Sequence, residues 1–219
     1  MLYLVRHGEA ESNREGKIGG WSPVPLTDLG QRQAARAATE LARRGPTRLI
    51  TSDIERARQT AAPIAAATGL EPLLEPGLRE RSLGDLDGLP YEEARLRHPD
   101  LWQRMLARDP AAVPPGAESA DVVYARVTAA IARIVRDHAG ERIVVVSHGL
   151  ALYHAFAYIC GLGSPALPLP VFVLVDNASI TEVEHRVHPG PPPADRWRLV
   201  TVNDTGHLRD LAHSAPAAP

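Results

Sequence analysis

A single cysteine, Cys160, is all the thiol chemistry available to this chain of 219 residues. One cysteine cannot close an intramolecular disulfide or build a multi-cysteine metal site, and so low a count suits a reducing compartment. An excess of charge of either sign is also lacking: 24 Lys and Arg against 26 Asp and Glu leave a formal net charge of -2. Nothing in that balance calls for nucleic acid as a partner. No apolar run is long enough to span a bilayer, so no membrane partner is expected. The chain opens on an apolar strand, Leu2 to Val5, with no basic leader. That pattern predicts no signal peptide and a cytoplasmic location. No internal repeat is found. The length suits one domain over residues 1–219, with room for an inserted cap and a sizeable core.

What is present is a repeated arrangement. The apolar run Leu2-Tyr3-Leu4-Val5 ends in Arg6-His7-Gly8-Glu9, and the run Ile143-Val144-Val145-Val146 ends in Ser147-His148-Gly149. Continuous apolar runs of this length read as strands buried on both faces. Two strands therefore each deliver a histidine at their carboxyl ends, where ligands bind in open parallel sheets. Imidazole can attack phosphorus, and a guanidinium forks onto phosphate oxygens. The pairing of Arg6 with His7 points to phosphoryl transfer through a phosphohistidine.

The remaining pattern predicts the frame. Apolar spacing through Ala34, Ala37, Ala38 and Leu41 predicts a helix over 27–44, with Thr27 as N-cap and Gly45-Pro46 as stop. Leu49-Ile50 predicts a strand. Ser52 and Glu55 have capping-box spacing for a helix running to about Thr68, and Leu73-Leu74 predicts another strand. This β-α-β-α-β order implies parallel strands with right-handed crossovers. Pro90 to Arg108 reads as helical and charged, 110–116 as a proline-rich loop, and 119–138 as a long helix with Val123, Val127, Ile131, Ile134 and Val135 on one side. A strand at 142–147, a helix from Gly149 to Ile159, and strands at 171–175, 179–186 and 196–202 complete the order. Gly190 to Pro193 predicts a stiff turn, and the tail at about 210–219 is expected to be disordered. The fold class is α/β: a three-layer α/β/α arrangement with a mostly parallel central sheet, flanked by helices and carrying a helical cap at about 88–118.

Phosphoryl transfer needs a nucleophile, positive charge around the equatorial oxygens and a proton source for the leaving oxygen. His7 is the candidate nucleophile, which requires a neutral Nε2 and a proton on Nδ1 held by a backbone carbonyl. Arg6 is beside it. Arg56 lies near the start of the helix after strand 49–51, where helix amides face the same crevice. His148, if cationic, donates to a phosphoryl oxygen. Glu80 is the candidate general acid. Taken singly, each has an ordinary reading: Arg56 as a solvated helix face, Glu80 as a surface ion pair, His148 as a structural residue, and Gly19-Gly20-Trp21 as a turn with an anchoring aromatic.

Taken together, ordered segments resemble the histidine phosphatase superfamily, the phosphoglycerate mutase-like fold. They are Leu4 to Glu9 with Asn13; Gly20-Trp21 leading to Pro25 to Gly30 and Gln33-Ala34; Thr51-Ser52-Asp53 with Arg56-Ala57 and Gln59-Thr60-Ala61; Leu78-Arg79-Glu80 with Gly84 and Gly88; Pro115 to Ser119; Val146 to Gly149; Asn177 to Ile180; and Asn203-Asp204-Thr205. The resemblance implies a phosphohistidine on His7, a phosphate pocket of Arg6, Arg56 and His148 helped by Asn13, a proton donor at Glu80, and no metal or other cofactor. It implies a small phosphorylated metabolite as partner, with Gly19, Gly20, Trp21 and Gly149 also lining the substrate site. Oligomeric state is not legible.

Several positions depart from the family pattern. No aromatic precedes the second glycine in Gly84-Asp85-Leu86-Asp87-Gly88, and Tyr153 stands where many members carry arginine. Both departures bear on substrate rather than on phosphoryl chemistry. The mutase branch resembles the chain less. Ser82 and Leu83 replace its histidine and tyrosine after the acid, Leu150 replaces its asparagine, and the cap has only isolated Arg95, Arg97, Arg104 and Arg108. The expected activity is therefore phosphomonoester hydrolysis. A phosphoglycerate mutase-type transferase is the alternative, and a non-catalytic phosphate-binding module a more distant one. A metal reading of His185 and His188 fails on strand geometry, because three-residue spacing turns the rings to opposite faces. His98, His138, His207 and His213 are expected to be exposed, and His154, six residues past His148 on the same helix, is not counted among the site residues. Sugar phosphates, phosphoglycerate derivatives, nucleotide monophosphates and a cobalamin-precursor phosphate stay open as substrates. Arg14, Lys17, Trp21, Tyr91 and Trp102 are the candidate specificity groups.

Overall fold

The apolar runs that end in His-Gly form the centre of a six-stranded sheet. In the computed structural model, residues 1–163, 172–188 and 194–211 are described. The strands are β1 (Leu2–Arg6), β2 (Arg48–Thr51), β3 (Pro72–Leu74), β4 (Ile143–Ser147), β5 (Ile180–His188) and β6 (Ala194–Asp204), in the spatial order β3-β2-β4-β1-β5-β6. β1 pairs with β4, β4 with β2, and β2 with β3, all parallel. β5 and β6 add an antiparallel edge to β1. Register places Arg6 opposite Ser147 and Thr51 opposite Val146. The residues that follow these strands, His7, His148 and Ser52, therefore emerge side by side. The ladder continues through His7 N to Ser147 O (2.9 Å) and Ser52 N to Val146 O (2.9 Å).

The helices are α1 (Glu11–Arg14), α2 (Asp28–Arg43), α3 (Glu55–Thr68), α4 (Tyr91–Arg97), α5 (Pro99–Leu106), α6 (Ala120–Asp137) and α7 (Gly149–Ile159). Strand side chains alternate between faces. Tyr3, Val5, Leu49, Val144 and Val146 join Leu41 of α2 and Ala57, Ala61 and Ile64 of α3 in one cluster. Leu2, Leu4, Ile50, Ile143 and Val145 join Val127, Ile131 and Ile134 of α6 and Leu152 and Phe156 of α7 in the other. The expected three-layer α/β/α architecture is thus observed. The central strands contain no polar alternation because both of their faces are covered. Thr27 and Ser119 cap α2 and α6 by accepting from Gly30 N and Val122 N. Among the described residues no helix is long and apolar enough to cross a membrane.

Some expectations are corrected. Residues 172–175 form no strand, and residue 171 lies outside the described residues. The carbonyl of Val175 accepts from Arg6 Nη1 (2.6 Å) rather than joining a ladder. The helical stretch 90–108 is two helices broken at His98, because the residue before proline disfavours helical backbone. Both helices meet in a separate small cluster of Ile18, Leu86 and Ala94 with Tyr91, Trp102 and Met105. The Gly190 to Pro193 turn lies outside the described residues, as does the tail from residue 212 on.

Leu41 is fully buried between α2 and the sheet. Leu41→Ala is expected to lower unfolding free energy by about 2–5 kcal/mol in urea titrations. A loss below about 1 kcal/mol would show that this helix–sheet layer can collapse around the deletion.

Candidate active site

His7 leaves β1 on backbone that tolerates no side chain at the next position. A Cβ on Gly8 would lie 2.5 Å from the carbonyl oxygen of Gly30, and one on Gly30 would lie 2.0 Å from that of Glu9. The β1–α1 turn and the start of α2 are thus in backbone contact. Glu9 reinforces the contact: its carboxylate accepts from Thr27 Oγ1 (2.7 Å), and its backbone N–H donates to Gln33 Oε1 (2.8 Å). His7 is almost wholly buried. Its Nδ1 bonds to Gly8 O at 2.7 Å, while Arg56 Nε donates to its Nε2 at 3.2 Å. Both contacts select the tautomer with hydrogen on Nδ1 and a lone pair on Nε2. Burial first, then the Arg56 and Arg6 guanidinium groups, hold His7 well below its ordinary pKa, so it is neutral at pH 7.

Arg56 comes from the first turn of α3 and is 2% exposed. Two further donors reach Gly20 O (2.8 Å) and Ser22 O (3.3 Å). Burial lowers its pKa to about 10, which leaves it cationic at neutral pH. Gly20 has φ of +41°, and a Cβ there would overlap Asp87 Oδ1 at 1.6 Å; only glycine fits. A Cβ at Gly19 would stand 3.6 Å from Arg56 Nη2. Trp21 donates from its indole to Glu80 O (2.7 Å), and its ring carries the Arg79 guanidinium at 4.8 Å. Gly19, Gly20 and Trp21 therefore brace Arg56 and the loop bearing the acid. Beside them lies a cavity of about 330 Å³ lined by Trp21, Pro23, Asp53, Ile54, Glu55 and Arg79.

On the other side of His7 stands His148, wholly buried, with the two ring centroids 5.1 Å apart. Its Nε2 is 2.8 Å from Ser52 Oγ, and its Nδ1 is buried with no protein partner. Burial first, then Arg56, His7 and Arg6, hold His148 well below its ordinary pKa. Burial thus disfavours the cationic form on which donation from His148 was conditional, and Nδ1 is the ring atom left without a protein partner. Arg6 uses Nη1 on Val175 O, while its Nε is buried without a partner. Asn13 accepts from Ala10 N (3.0 Å) and Asn177 Nδ2 (3.4 Å) on Oδ1, which leaves its Nδ2 as the group to offer.

Glu80 follows β3 on irregular backbone. Its Oε1 accepts from Arg81 N (2.9 Å) and Ala151 N (3.1 Å), and its Oε2 from Leu150 N (3.2 Å). The amides at the start of α7 thus hold the Glu80 carboxylate. Gly149 sits between partners: a Cβ there would be 3.7 Å from Arg6 Cζ and 3.8 Å from Glu80 Oε2. The electrostatic influence of Glu80 reaches both Arg6 and Arg56. The fold therefore gathers His7, Arg6, Arg56, His148, Glu80, Asn13 and Gly149 at one sheet edge.

Three supporting residues escaped sequence reasoning. Ser52 reads as half of a capping box, but Ile54 is the N-cap residue of α3, and Ser52 Oγ accepts from Ile54 N (3.3 Å) while meeting His148. Asn177 donates to His7 O (3.0 Å); its signal was its place in the matched Asn177-Ala178-Ser179 segment. Arg126 donates to Glu80 O (2.8 Å) from α6, with no sequence cue. His207, expected to be exposed, is half-buried and meets Ala178 O at 3.0 Å. His154 is buried against Tyr124 and Tyr153. Among the described residues no group of three or more His, Cys, Asp or Glu could hold a metal ion.

An imidazole set between a buried and a half-buried guanidinium, at the carboxyl ends of parallel strands, marks an α/β enzyme that handles phosphate. Residues 2–205 match the histidine phosphatase superfamily (branch 1), and the chain belongs to that superfamily as a histidine phosphatase. It is 44% identical over 213 residues to phosphoglycerate mutase-like protein 4 of Arabidopsis thaliana, covering 95% of this chain and 87% of that one. A mycobacterial glucosyl-3-phosphoglycerate phosphatase solved with VO3 superposes with TM-score 0.80 at 30% identity, covering 93% of this chain and 98% of that one. A putative alpha-ribazole-5'-P phosphatase from Escherichia coli superposes with TM-score 0.77 at 26% identity, covering 93% and 96%.

Burial also makes His154 a stability probe, because it lowers the ring's pKa to about 4. Between the ordinary value of 6.5 and about 4, the unfolded chain binds a proton that the folded chain refuses. Stability contributed by the neutral ring is therefore lost as pH falls through that window. His154→Phe is expected to reduce the slope of unfolding free energy against pH by close to one proton, about 1.4 kcal/mol per pH unit, across roughly pH 4.5–6. An unchanged slope in urea titrations would place the proton uptake elsewhere.

Proposed function

We propose that the protein hydrolyses a small phosphomonoester through a phosphohistidine on His7, with Glu80 as general acid and base. The observation that carries this reading is the His7 tautomer. Nδ1 is bonded to Gly8 O, and Nε2 presents its lone pair among the Arg6 and Arg56 guanidinium groups. The incoming phosphoryl group takes Arg56 Nε from His7 as its oxygens engage Arg56, the free Nε of Arg6 and Nδ1–H of His148. His7 Nε2 then forms the N–P bond while the P–O bond to the leaving group breaks. The leaving oxygen takes the proton from Glu80. Oε2 is suited to hold that proton, since it accepts one backbone N–H where Oε1 accepts two. In the second half, water attacks phosphorus and gives a proton to Glu80, the N–P bond breaks, and phosphate leaves with His7 neutral again. The sequence of steps uses no metal or other cofactor.

A mutase reading draws on the name of the Arabidopsis relative. A mutase must hold a second anionic group while phosphate passes between two oxygens. The positions after the acid do not supply that group: Ser82 Oγ donates to Asp87 Oδ2 (3.0 Å), and Leu83 joins the apolar cluster of Ile18 and Leu86. The cavity beside Trp21 carries Asp53 and Glu55 against Arg79 alone. Hydrolysis is therefore favoured. The relatives named for glucosyl-3-phosphoglycerate and alpha-ribazole-5'-P suggest a phosphorylated metabolite with a bulky leaving group.

The test is phosphate release from a panel of phosphomonoesters in the presence of chelator. His7→Ala is expected to abolish release, and near-wild-type activity in that variant would reject the phosphohistidine. Glu80→Gln is expected to slow alkyl phosphates by about 10²–10⁴-fold while sparing aryl phosphates, whose leaving groups need little protonation. Equal losses on both would reject Glu80 as the acid. Release lost with chelator would reject the metal-free route.

A further inference from the structure

The acid sits on backbone with no regular secondary structure, yet its main chain is held as tightly as its carboxylate. Arg126, on α6, spends every donor of its guanidinium there. Nη1 donates to Gly77 O (3.1 Å) and Arg79 O (2.7 Å), and Nη2 donates to Glu80 O (2.8 Å) and Glu118 Oε2 (2.7 Å). Nε donates to Glu118 Oε1 (2.8 Å). Arginine has five N–H donors in a planar fork, and here each has its own acceptor. Glu118 is itself tied to the same stretch. Its Oε2 accepts from Ser82 N (3.0 Å), its carbonyl from Arg81 Nε (2.8 Å), and its N–H donates to Ser82 O (3.0 Å).

We propose that the Arg126–Glu118 pair is a positioning device for the acid, fixing the 77–82 backbone so that the Glu80 carboxylate stands at the leaving oxygen. The inference rests on Glu80 being the acid. Arg126 holds carbonyls at residues 77, 79 and 80, so it sets the path of the chain on the amino-terminal side of the carboxylate. Glu118 holds residues 81 and 82, so it sets the path on the other side. Trp21 closes the remaining lone pair of Glu80 O, at 2.7 Å. The carboxylate is then aimed by the α7 amides from Leu150 and Ala151. Lysine cannot replace this fork. It has three donors around one nitrogen, too few for five acceptors and with the wrong spacing for a bidentate carboxylate. Glu118 lies in the stretch that runs from α5 to α6. The same clamp therefore ties the acid to the exit of the α4–α5 segment.

A purely structural ion pair would have a different signature. If Arg126 only holds the fold together, its loss lowers activity on all substrates in step with the folded fraction. If it positions Glu80, the loss depends on the leaving group, because only poor leaving groups need the proton. The experiment measures kcat/KM for an alkyl phosphate and p-nitrophenyl phosphate with wild type, Arg126→Lys, Glu118→Gln, Glu80→Gln and Glu80→Gln/Arg126→Lys. Inhibition by inorganic phosphate reports the cationic pocket. Arg126→Lys is expected to lose about tenfold or more on the alkyl phosphate and less than about threefold on the aryl one, with phosphate inhibition within about twofold of wild type. In the Glu80→Gln background it is expected to add no further alkyl-selective loss, since a positioning residue has nothing left to position. Equal losses on both substrates, or an alkyl-selective loss that persists without Glu80, would overturn the proposal. Should Arg126→Lys not fold, Glu118→Gln carries the test: it keeps the shape and removes one charge, and the same alkyl-selective loss is expected at smaller size. Equal losses in Glu80→Gln alone would instead overturn the role of Glu80, and the clamp's catalytic role with it.

Discussion

The contact between Arg56 Nε and His7 Nε2 is where the demands on this protein meet. The Nε2 lone pair of a buried imidazole is met here by a guanidinium N–H. Keeping a permanent cation buried there requires acceptors for its other donors, and the carbonyls of Gly20 and Ser22 take two of them. That requirement fixes the loop at 19–22, whose Gly20 has backbone and space for glycine alone. It also fixes the start of α3, and through β2 the side of the sheet from which Arg56 is delivered. Much of the first third of the chain is thus arranged around one imidazole nitrogen.

The pocket as it stands is electrostatically unfinished. Arg56 is a buried cation and Arg6 a half-buried one, burial holds both histidines well below their ordinary pKa, and Arg6 Nε and His148 Nδ1 are buried polar atoms without protein partners. Orphaned donors of this kind destabilise a folded chain unless something arrives to use them. On the proposed reading, a phosphoryl dianion neutralises the cations and accepts hydrogen bonds at these atoms. Glu80 stands on the far side. It is held by amides rather than by either arginine, so its carboxylate does not compete for the phosphate pocket.

Much of the fold is legible from the sequence because central parallel strands must be apolar on both faces, and Leu2 to Val5 and Ile143 to Val146 are. Helix α2 was equally readable, since Thr27 caps it and Leu41 and its neighbours fall on one face. Errors arose where a polar atom had two possible uses. Ser52 has capping-box spacing, yet its hydroxyl meets His148, a choice that depends on β4 lying beside β2. Residues 172–175 have the composition of a strand, but Arg6 takes a carbonyl there and the ladder is not made. The charged stretch 90–108 kept its helical periodicity and was broken only by the local constraint at His98-Pro99.

The candidate site divides in the same way. The sequence by itself determined which chemistry was on offer: His-Gly at the ends of two buried runs, an arginine beside the first, and a family's ordered set of motifs from residue 2 to 205. Local pattern suffices for that, because strand ends are marked by where apolar character stops. The tertiary structure alone decided the protonation and the aim of each group. The tautomer of His7 depends on Arg56, which lies 49 positions away in the chain. The lowered pKa of His148 depends on its burial and on Arg56, and the hold on Glu80 comes from α7 and α6, 46 or more positions away. Lone pairs and guanidinium forks act over a few ångströms of space, and no spacing along a chain encodes which distant donor will occupy those few ångströms.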